Sequence, residues 1–542
     1  MKQIYTQSDL MGSRPVFCVE FEFAGKMHRY STEYITLTAP DGSMYEYLPT
    51  IREFDYTESA QILSQDIEDN IVMMGLVIQD CNVLQLWSQG KTLEGTSAQF
   101  FYVLVKGEQV QQTYSQRVVL YQGRIQEPQI GDPDDLDDFV AFSIESPPYE
   151  SDNLLLDSNK YIDDRFIHRH IDTADGKPYP VILGSAGYQV RQTEGSIKNI
   201  FALPAYCTRV YDSDHDCRFM VAGHVVESTT ATIQDDNYNS VTKTIQTDDD
   251  GRGNIYSYII IQTSDNVAMP NYGGSGDSRQ WWVYMNSGGL LNQYGSGDLS
   301  RGGDICRWAL SRSGTEYDDG AWANLSVILN QYSFAGYITD PEITAYEWLM
   351  ANIIPHLPIS VQVSPQGLRP ILNQMWALTH VSPVTSISIG DDKECIQTSA
   401  ISTLRNTADL QNEVTVRYAK RGHDQSHANI CRVTSVKRES YDVVSDYAIK
   451  SVNLYGLRPV TIEADYIYDR DTAVKVATDK VRSNSRPVHS VDVDAPAEFG
   501  WLRIGDVIEA TIERYFIIDR RMIVSSKVWT DNRWRFTLLF EA

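Results

Sequence analysis

No run of about 18 apolar residues occurs in this 542-residue chain, so no segment has the length and character of a membrane-spanning helix. Its opening, Met1-Lys-Gln-Ile-Tyr-Thr-Gln-Ser-Asp9, lacks the apolar stretch of a signal peptide, which fits cytosolic synthesis. Cysteine is scarce. The seven, Cys18, Cys81, Cys207, Cys217, Cys306, Cys395 and Cys431, are odd in number and scattered, which argues against a disulfide framework and for reduced thiols. Positive charge is also short: 46 Lys and Arg face 72 Asp and Glu, a net charge of −26. A protein that grips nucleic acid clusters Lys and Arg against phosphate, so this balance points away from that class. There is no Gly-x-x-x-x-Gly-Lys-Ser/Thr to cradle phosphate and no Gly-x-Ser-x-Gly nucleophile elbow.

What is present is a soluble, strand-rich composition: 42% hydrophobic and 22% charged residues, with 32 Tyr and 10 Trp. The length suits three or four domains. The expected class is mainly β with a few short helices, in several domains. Residues 1–150 form the first, where Phe17-Cys-Val-Glu-Phe-Glu-Phe23, Tyr34-Ile-Thr-Leu-Thr38, Leu84-Gln-Leu-Trp87, Phe100-Phe-Tyr-Val-Leu-Val105 and Gln116-Arg-Val-Val-Leu-Tyr121 read as strands between turns. The acidic loop Asp132-Pro-Asp-Asp-Leu-Asp-Asp138 has no fixed ligand spacing and reads as a solvated loop.

Residues 151–303 are expected to be a β-rich central domain. His168 and His170 are two apart, a spacing that puts both on one face of a strand, yet no third metal ligand accompanies them. Cys207, His215, Cys217 and His224 match no zinc spacing, and Asp212-Ser-Asp-His-Asp216 departs from a calcium loop at Cys217 and Gly223. The stretch from Asn271 to Asp304 carries nine glycines among Trp281, Trp282, Tyr284 and Tyr294, a candidate binding loop.

Residues 304–410 read as a helical and mixed segment. Asp304–Ser313 and Trp322–Asn330 are helices, and a third is expected with Asp340 as N-cap, Pro341 in its first turn, and Ile343, Tyr346, Leu349, Met350 and Ile353 as its buried stripe. Residues 411–542 are the best-defined module. Leu454-Tyr-Gly-Leu-Arg-Pro459 is a turn, and a helix starting at Asp469 or Asp471 carries Ala473, Val476, Ala477 and Val481. Val491 and Val493 alternate with Ser490, Asp492 and Asp494 as in a half-buried strand. Gly505-Asp506 opens a further strand, and Trp534, Phe536, Leu538 and Phe540 share one face of the last.

Four patterns along the chain resemble one family. They are Tyr121-Gln-Gly-Arg-Ile125 before a strand ending at Ser146, Gly176-Lys-Pro-Tyr-Pro-Val-Ile-Leu-Gly184, the helix followed by Leu357-Pro358 and Gly367-Leu-Arg369, and the alternating strand Asn412-Glu-Val-Thr-Val-Arg-Tyr418 that introduces the module from Tyr455-Gly-Leu-Arg-Pro459 through Leu502-Arg-Ile-Gly-Asp-Val507 to the end. In this order they resemble baseplate hub, or tail tip, proteins of long-tailed bacteriophages. The resemblance implies two β-barrel-like hub domains per chain, residues 1–150 and 411–542, and a homotrimer whose six units match a hexameric tube. It implies a structural virion protein, made in the bacterial host cytoplasm, that joins the tail tube or distal tail protein ring to a central fibre or tip protein. The tape measure protein and then DNA would pass through it without specific binding. Neither a catalytic set, a cofactor nor a metal site is expected. Asp492, Asp494, Glu509 and Glu513 are the candidate acidic lining of a channel, where like charge keeps DNA from sticking. The rival readings are a carbohydrate-binding or polysaccharide-cleaving tailspike, with host surface glycan on the aromatic loop, and a distal tail adaptor.

Overall fold

The computed structural model describes residues 13–60, 72–79, 81–132, 135–145, 153–168, 170–185, 188–191, 197–200, 203–210, 216–270, 279–285, 287–364, 366–405, 408–422 and 424–541. It is mainly β. The first strands are β1 (Arg14–Phe23), β2 (Lys26–Ser31), β3 (Ile35–Thr38), β4 (Met44–Tyr47), β5 (Ile51–Ser59) and β6 (Val72–Gln79). After the helix α1 (Cys81–Ser88) come β7 (Ser97–Lys106), β8 (Val118–Asp132) and β9 (Asp135–Glu145). β1 is apolar almost throughout because both of its faces are covered. Phe17, Val19 and Phe21 enter the main core, while Val16 and Cys18 join Phe101, Val103 and Val105 of β7 beneath the β3–β4 hairpin. α1 corrects the expectation of a strand at Leu84–Trp87. Val83 and Leu86 pack against the core three residues apart, which is helical spacing.

The central strands β10 (Leu203–Val210), β11 (Asp216–Ala222), β12 (Thr230–Asp235), β13 (Ser240–Thr244), β14 (Gln246–Asp249), β15 (Ile255–Gln262) and β16 (Trp281–Met285) form one antiparallel sheet in the order β13-β12-β16-β10-β11-β15-β14. Three helices follow: α2 (Gly302–Ser313), α3 (Asp319–Leu329) and α4 (Ala345–Asn352). α4 starts later than expected. Thr344, not Asp340, is its N-cap, because Thr344 Oγ1 accepts from Glu347 N while the Glu347 carboxylate accepts from Thr344 N. Asp340 instead accepts from Glu342 N in the preceding turn.

The hairpin β17 (Ile359–Ser364) and β18 (Gly367–Leu372) and the short β19 (Ser386–Ser388) lead to the C-terminal part. There β20 (Glu413–Lys420), β21 (His427–Thr434), β22 (Asp442–Val444), α5 (Asp446–Tyr455), β23 (Pro459–Ala464) and α6 (Arg470–Asn484) build a four-stranded sheet, β22-β21-β20-β23, with α6 packed on β20 and β21. Asp469 caps α6 through Thr472 N at 2.7 Å, and Ala473, Val476, Ala477 and Val481 are its buried stripe. The last strands are β24 (Val488–Ala495), β25 (Val507–Ile512), β26 (Ile517–Thr530) and β27 (Arg533–Glu541). They extend the sheet of the N-terminal strands. A single ladder path runs β2-β1-β7-β8-β9-β6-β5-β26-β27-β24 within a 15-stranded sheet.

Candidate functional site

The place where the two ends of the chain meet is the join between β5 and β26. Its antiparallel register pairs Ser59 with Ser526, Glu58 with Lys527 and Thr57 with Val528. Side chains alternate across a strand, so Glu58 and Lys527 share one face. That face is closed: Glu58 is 8% exposed and Lys527 is 3% exposed. The Glu58 carboxylate accepts from Tyr56 Oη at 2.9 Å and from Gln362 Nε2 at 3.0 Å, and the Arg369 guanidinium lies 3.7 Å from it. Arg369 donates to Gln362 Oε1 at 2.8 and 2.6 Å and to the Ile504 carbonyl at 3.1 Å. Lys527 Nζ donates to the Gly500 carbonyl and sits 4.5 Å over the Trp534 ring. The cluster thus ties β5, the β17–β18 hairpin and the segment from Gly500 to Lys527 together.

Gly500 is required by close approach. A Cβ there would lie 2.3 Å from Trp534 Nε1 and 2.6 Å from Tyr102 Oη. Beside the charges, aromatic rings cross the same boundary. Phe17 meets Trp529 edge-on at 4.8 Å, Tyr56 meets Trp534 at 5.9 Å, and Tyr102 meets Trp534 at 6.0 Å. Such pairs add about 0.5–1.5 kcal/mol each beyond the area they bury.

Burial dominates the electrostatics of the join. It pushes the Lys527 ammonium down to about 8, lowers Arg369 and raises the Asp506 carboxyl. A lysine so perturbed is a candidate base wherever substrate can reach it. Here the neighbouring cavity, lined by Tyr56, Glu58, Arg369, Gly500 and Lys527, measures about 30 Å³. That is far below the roughly 300 Å³ at which small-molecule sites begin. The arrangement can hold two halves of a sheet in one register.

The four candidate acidic residues are dispersed in role. Asp494 is buried and paired across the ladder with Arg535, which donates to it at 2.7 and 3.1 Å. Asp492 accepts from Thr537 Oγ1 at 2.7 Å, and Glu509 from Ser386 Oγ at 3.3 Å. Glu513 is exposed, on the rim of a cleft of about 470 Å³ between residues 388–400 and 511–515. β24 is therefore covered on both faces, unlike the half-buried strand expected from its alternation. Sequence reasoning also missed where charge resides: residues 411–542 hold 20 basic and 19 acidic residues, so the whole acidic excess belongs to residues 1–410.

The candidate binding loop is corrected too. Trp281, Trp282 and Tyr284 are strand residues of β16, an interior strand of the central sheet, and all three are buried. Trp281 Nε1 donates to the Ala268 carbonyl at 3.0 Å, and its ring packs 5.0 Å from Phe219. Tyr294 is half-buried, with the Arg307 guanidinium 4.2 Å above its ring. Residues 271–278, with three of the glycines, lie outside the described residues.

The histidines are held by separate partners. His170 Nε2 contacts Asp175 at 2.9 Å, whereas His168 faces Arg218 and Asp248. His224 Nε2 accepts from Ile182 N at 3.0 Å, which leaves Nδ1 as the donor to the Val225 carbonyl, and burial pushes its pKa down to about 4. His215 and the start of the calcium-like loop lie outside the described residues. Among the described residues no three His, Cys, Asp or Glu side chains converge in a metal-ready group. Cys18, Cys306, Cys395 and Cys431 are buried free thiols.

No family model matches the chain, and no curated protein matches it. Among solved structures it is similar to the tail protein from Neisseria meningitidis MC58, at 9% identity and a TM-score of 0.38 over 97% of this chain and 96% of that one. It is similar to the 43 kDa tail protein of prophage MuSo2 from Shewanella oneidensis, at 9% identity and a TM-score of 0.35 over 97% and 96%. A chain of the virion of a native gene transfer agent particle is similar at 10% identity and a TM-score of 0.37 over 72% and 88%.

Proposed function

We propose that this chain is a structural protein of a long-tailed phage tail tip, a baseplate hub. In this reading it forms a homotrimeric ring between the tail tube, or its distal ring, and the tip or central fibre. The observation that supports it is the join of β5 to β26, which sets the N-terminal and C-terminal β units side by side in one chain. Three such chains around an axis would offer six β units to a sixfold tube. The buried cluster at Glu58 and Lys527 makes the join rigid, as a load-carrying ring needs.

The protein acts without catalysis in this proposal: its work is to hold a channel open while the tape measure protein and then DNA pass. Like charge reaches only about 8 Å at physiological salt, so a wall must itself be acidic to repel DNA. With Asp494 neutralised by Arg535 and residues 411–542 balanced in charge, that duty falls to residues 1–410. The test is the mass of the purified full chain by light scattering at low and moderate salt, followed by electron micrographs. Rings of three chains with an open centre support the hub. A monomer that cleaves or binds polysaccharide would replace it with the tailspike reading.

A further inference from the structure

Beside the join, a cleft of about 680 Å³ opens between N-terminal and C-terminal strands. Its apolar lining is aromatic: Phe17 of β1, Phe54 of β5 and Trp529 of β26, with the Phe17 and Phe54 rings 4.5 Å apart. Phe17 and Trp534 both meet the Trp529 ring edge to face at 4.8 Å, so among the described residues no ring is stacked flat on it. The volume lies within the roughly 300–1,000 Å³ of small-molecule sites, unlike the space beside Lys527.

One wall carries a buried carboxylate that the fold leaves unused. Glu498 lies in the 3₁₀ turn Ala497–Trp501, lines the cleft and is 8% exposed. Among the described residues no side chain donates to its carboxylate, which accepts only from its own backbone N–H. Burial raises its pKa, the Glu394 carboxylate adds to the rise, and Arg533 opposes it while donating to the Glu394 carbonyl at 3.2 Å. Asp494 is equally buried, yet Arg535 closes it with two hydrogen bonds. A carboxylate taken out of water with its acceptor positions open is a cost to the fold, and it is explained where a ligand fills them. The rim indicates the class. Arg14 pairs with Glu33, and Arg533 offsets Glu498, so the charges lining the cleft balance and favour neither a strong anion nor a strong cation. Exposed Asn532 adds an amide that both donates and accepts.

We propose that this cleft binds an uncharged saccharide, with the C–H face of one sugar on Trp529 and neighbouring hydroxyls donating to Glu498. A sugar has the two faces that the lining asks for: apolar C–H groups for an aromatic ring, and hydroxyls for a carboxylate, a guanidinium and an amide. Hydroxyl donors complete Glu498 without adding charge to the cleft. The site is separate from the central sheet, where Trp281, Trp282 and Tyr284 are buried. The inference goes beyond the ring reading and does not depend on it.

The test is calorimetric titration of the full chain with maltotriose and chitotriose, and with choline and inorganic phosphate as charged controls. E498L, the milder E498Q and W529F are compared with the unaltered protein, and circular dichroism melts are recorded for each. The expected result is that one trisaccharide binds with a Kd below about 1 mM, that E498L and W529F weaken it about tenfold or more, and that neither Glu498 variant melts below the parent. An unused carboxylate is dispensable to the fold, so a melt lowered by more than about 3 °C in E498Q would make Glu498 structural and overturn the proposal. Binding that survives E498L unchanged would place the sugar elsewhere and refute this site. Binding of choline or phosphate, but of neither trisaccharide, would refute the ligand class. Light scattering on the same samples separates the two readings: trimers that bind neither sugar refute this site and leave the hub, whereas monomers that bind through Glu498 refute the hub and leave this site.

Discussion

Replacing Glu58 with Ala tests the join of the two sheet halves directly. The substitution removes the carboxylate that the cluster sets between Arg369 and Lys527, and it takes from the Gln362 amide its acceptor and from the Tyr56 hydroxyl its shorter one. Breaking one side of a buried charge cluster costs about 3–5 kcal/mol, because the remaining cations stay in a site that excludes water. Glu58→Gln keeps an acceptor but not the charge, so it should cost less, about 2–3 kcal/mol. The double variant E58Q/K527M removes charge from both strands and should return to within about 1 kcal/mol of the parent. Urea titration followed by tryptophan fluorescence is the assay, since Trp529 and Trp534 lie at the boundary. A 4 kcal/mol loss changes the unfolding equilibrium nearly a thousandfold, which a midpoint shift reports clearly. If E58A costs less than about 1 kcal/mol, or the double variant is worse than the sum of its parts, the join is not held by this cluster.

Burial lowers the Lys527 pKa from 10.5 to about 8, so between those values the unfolded chain binds more protons and stability rises with pH. The parent should gain up to about 3 kcal/mol relative to K527M between pH 8 and 10.5; parallel pH profiles for the two proteins would contradict this. Gly500→Ala forces a Cβ against Trp534 and Tyr102 and should cost about 1–3 kcal/mol, visible as a lower melting temperature. Asp494→Ala strands Arg535, which is part exposed and can rehydrate, so a loss of about 1–2 kcal/mol is expected in the same titration. A loss above 4 kcal/mol would mean that the pair holds more than its own ladder.

Local signals carried the C-terminal module well. Asp469 caps its helix as its side chain and position suggest, Gly505 adopts φ 88°, and the alternate residues from Trp534 to Phe540 are buried together. α5 was not legible, because Tyr447, Ile449 and Val452 do not outline a stripe strong enough to separate it from the turn that follows. Thr344 won over Asp340 because a capping box satisfies two backbone groups where a lone aspartate satisfies one. Trp281, Trp282 and Tyr284 read as a loop from their glycine neighbours, yet the five apolar side chains in a row from Trp281 to Met285 also suit an interior strand covered on both faces. The join itself had no sequence signature. Glu58 and Lys527 stand near opposite ends of the chain, and each alone reads as an ordinary surface charge on a strand.

That separation has a bearing on synthesis. Until Lys527 leaves the ribosome, β5 has no partner on the side where β26 will add, and the N-terminal sheet waits with an open edge. Pairing of such distant segments is slow and comes late in folding. A truncated chain, however well its first strands fold, lacks the strand that completes the second unit. Synthesis past Lys527 therefore serves as a checkpoint: only a chain that carries β26 can close the β5 edge, and one cut short of it keeps that edge open.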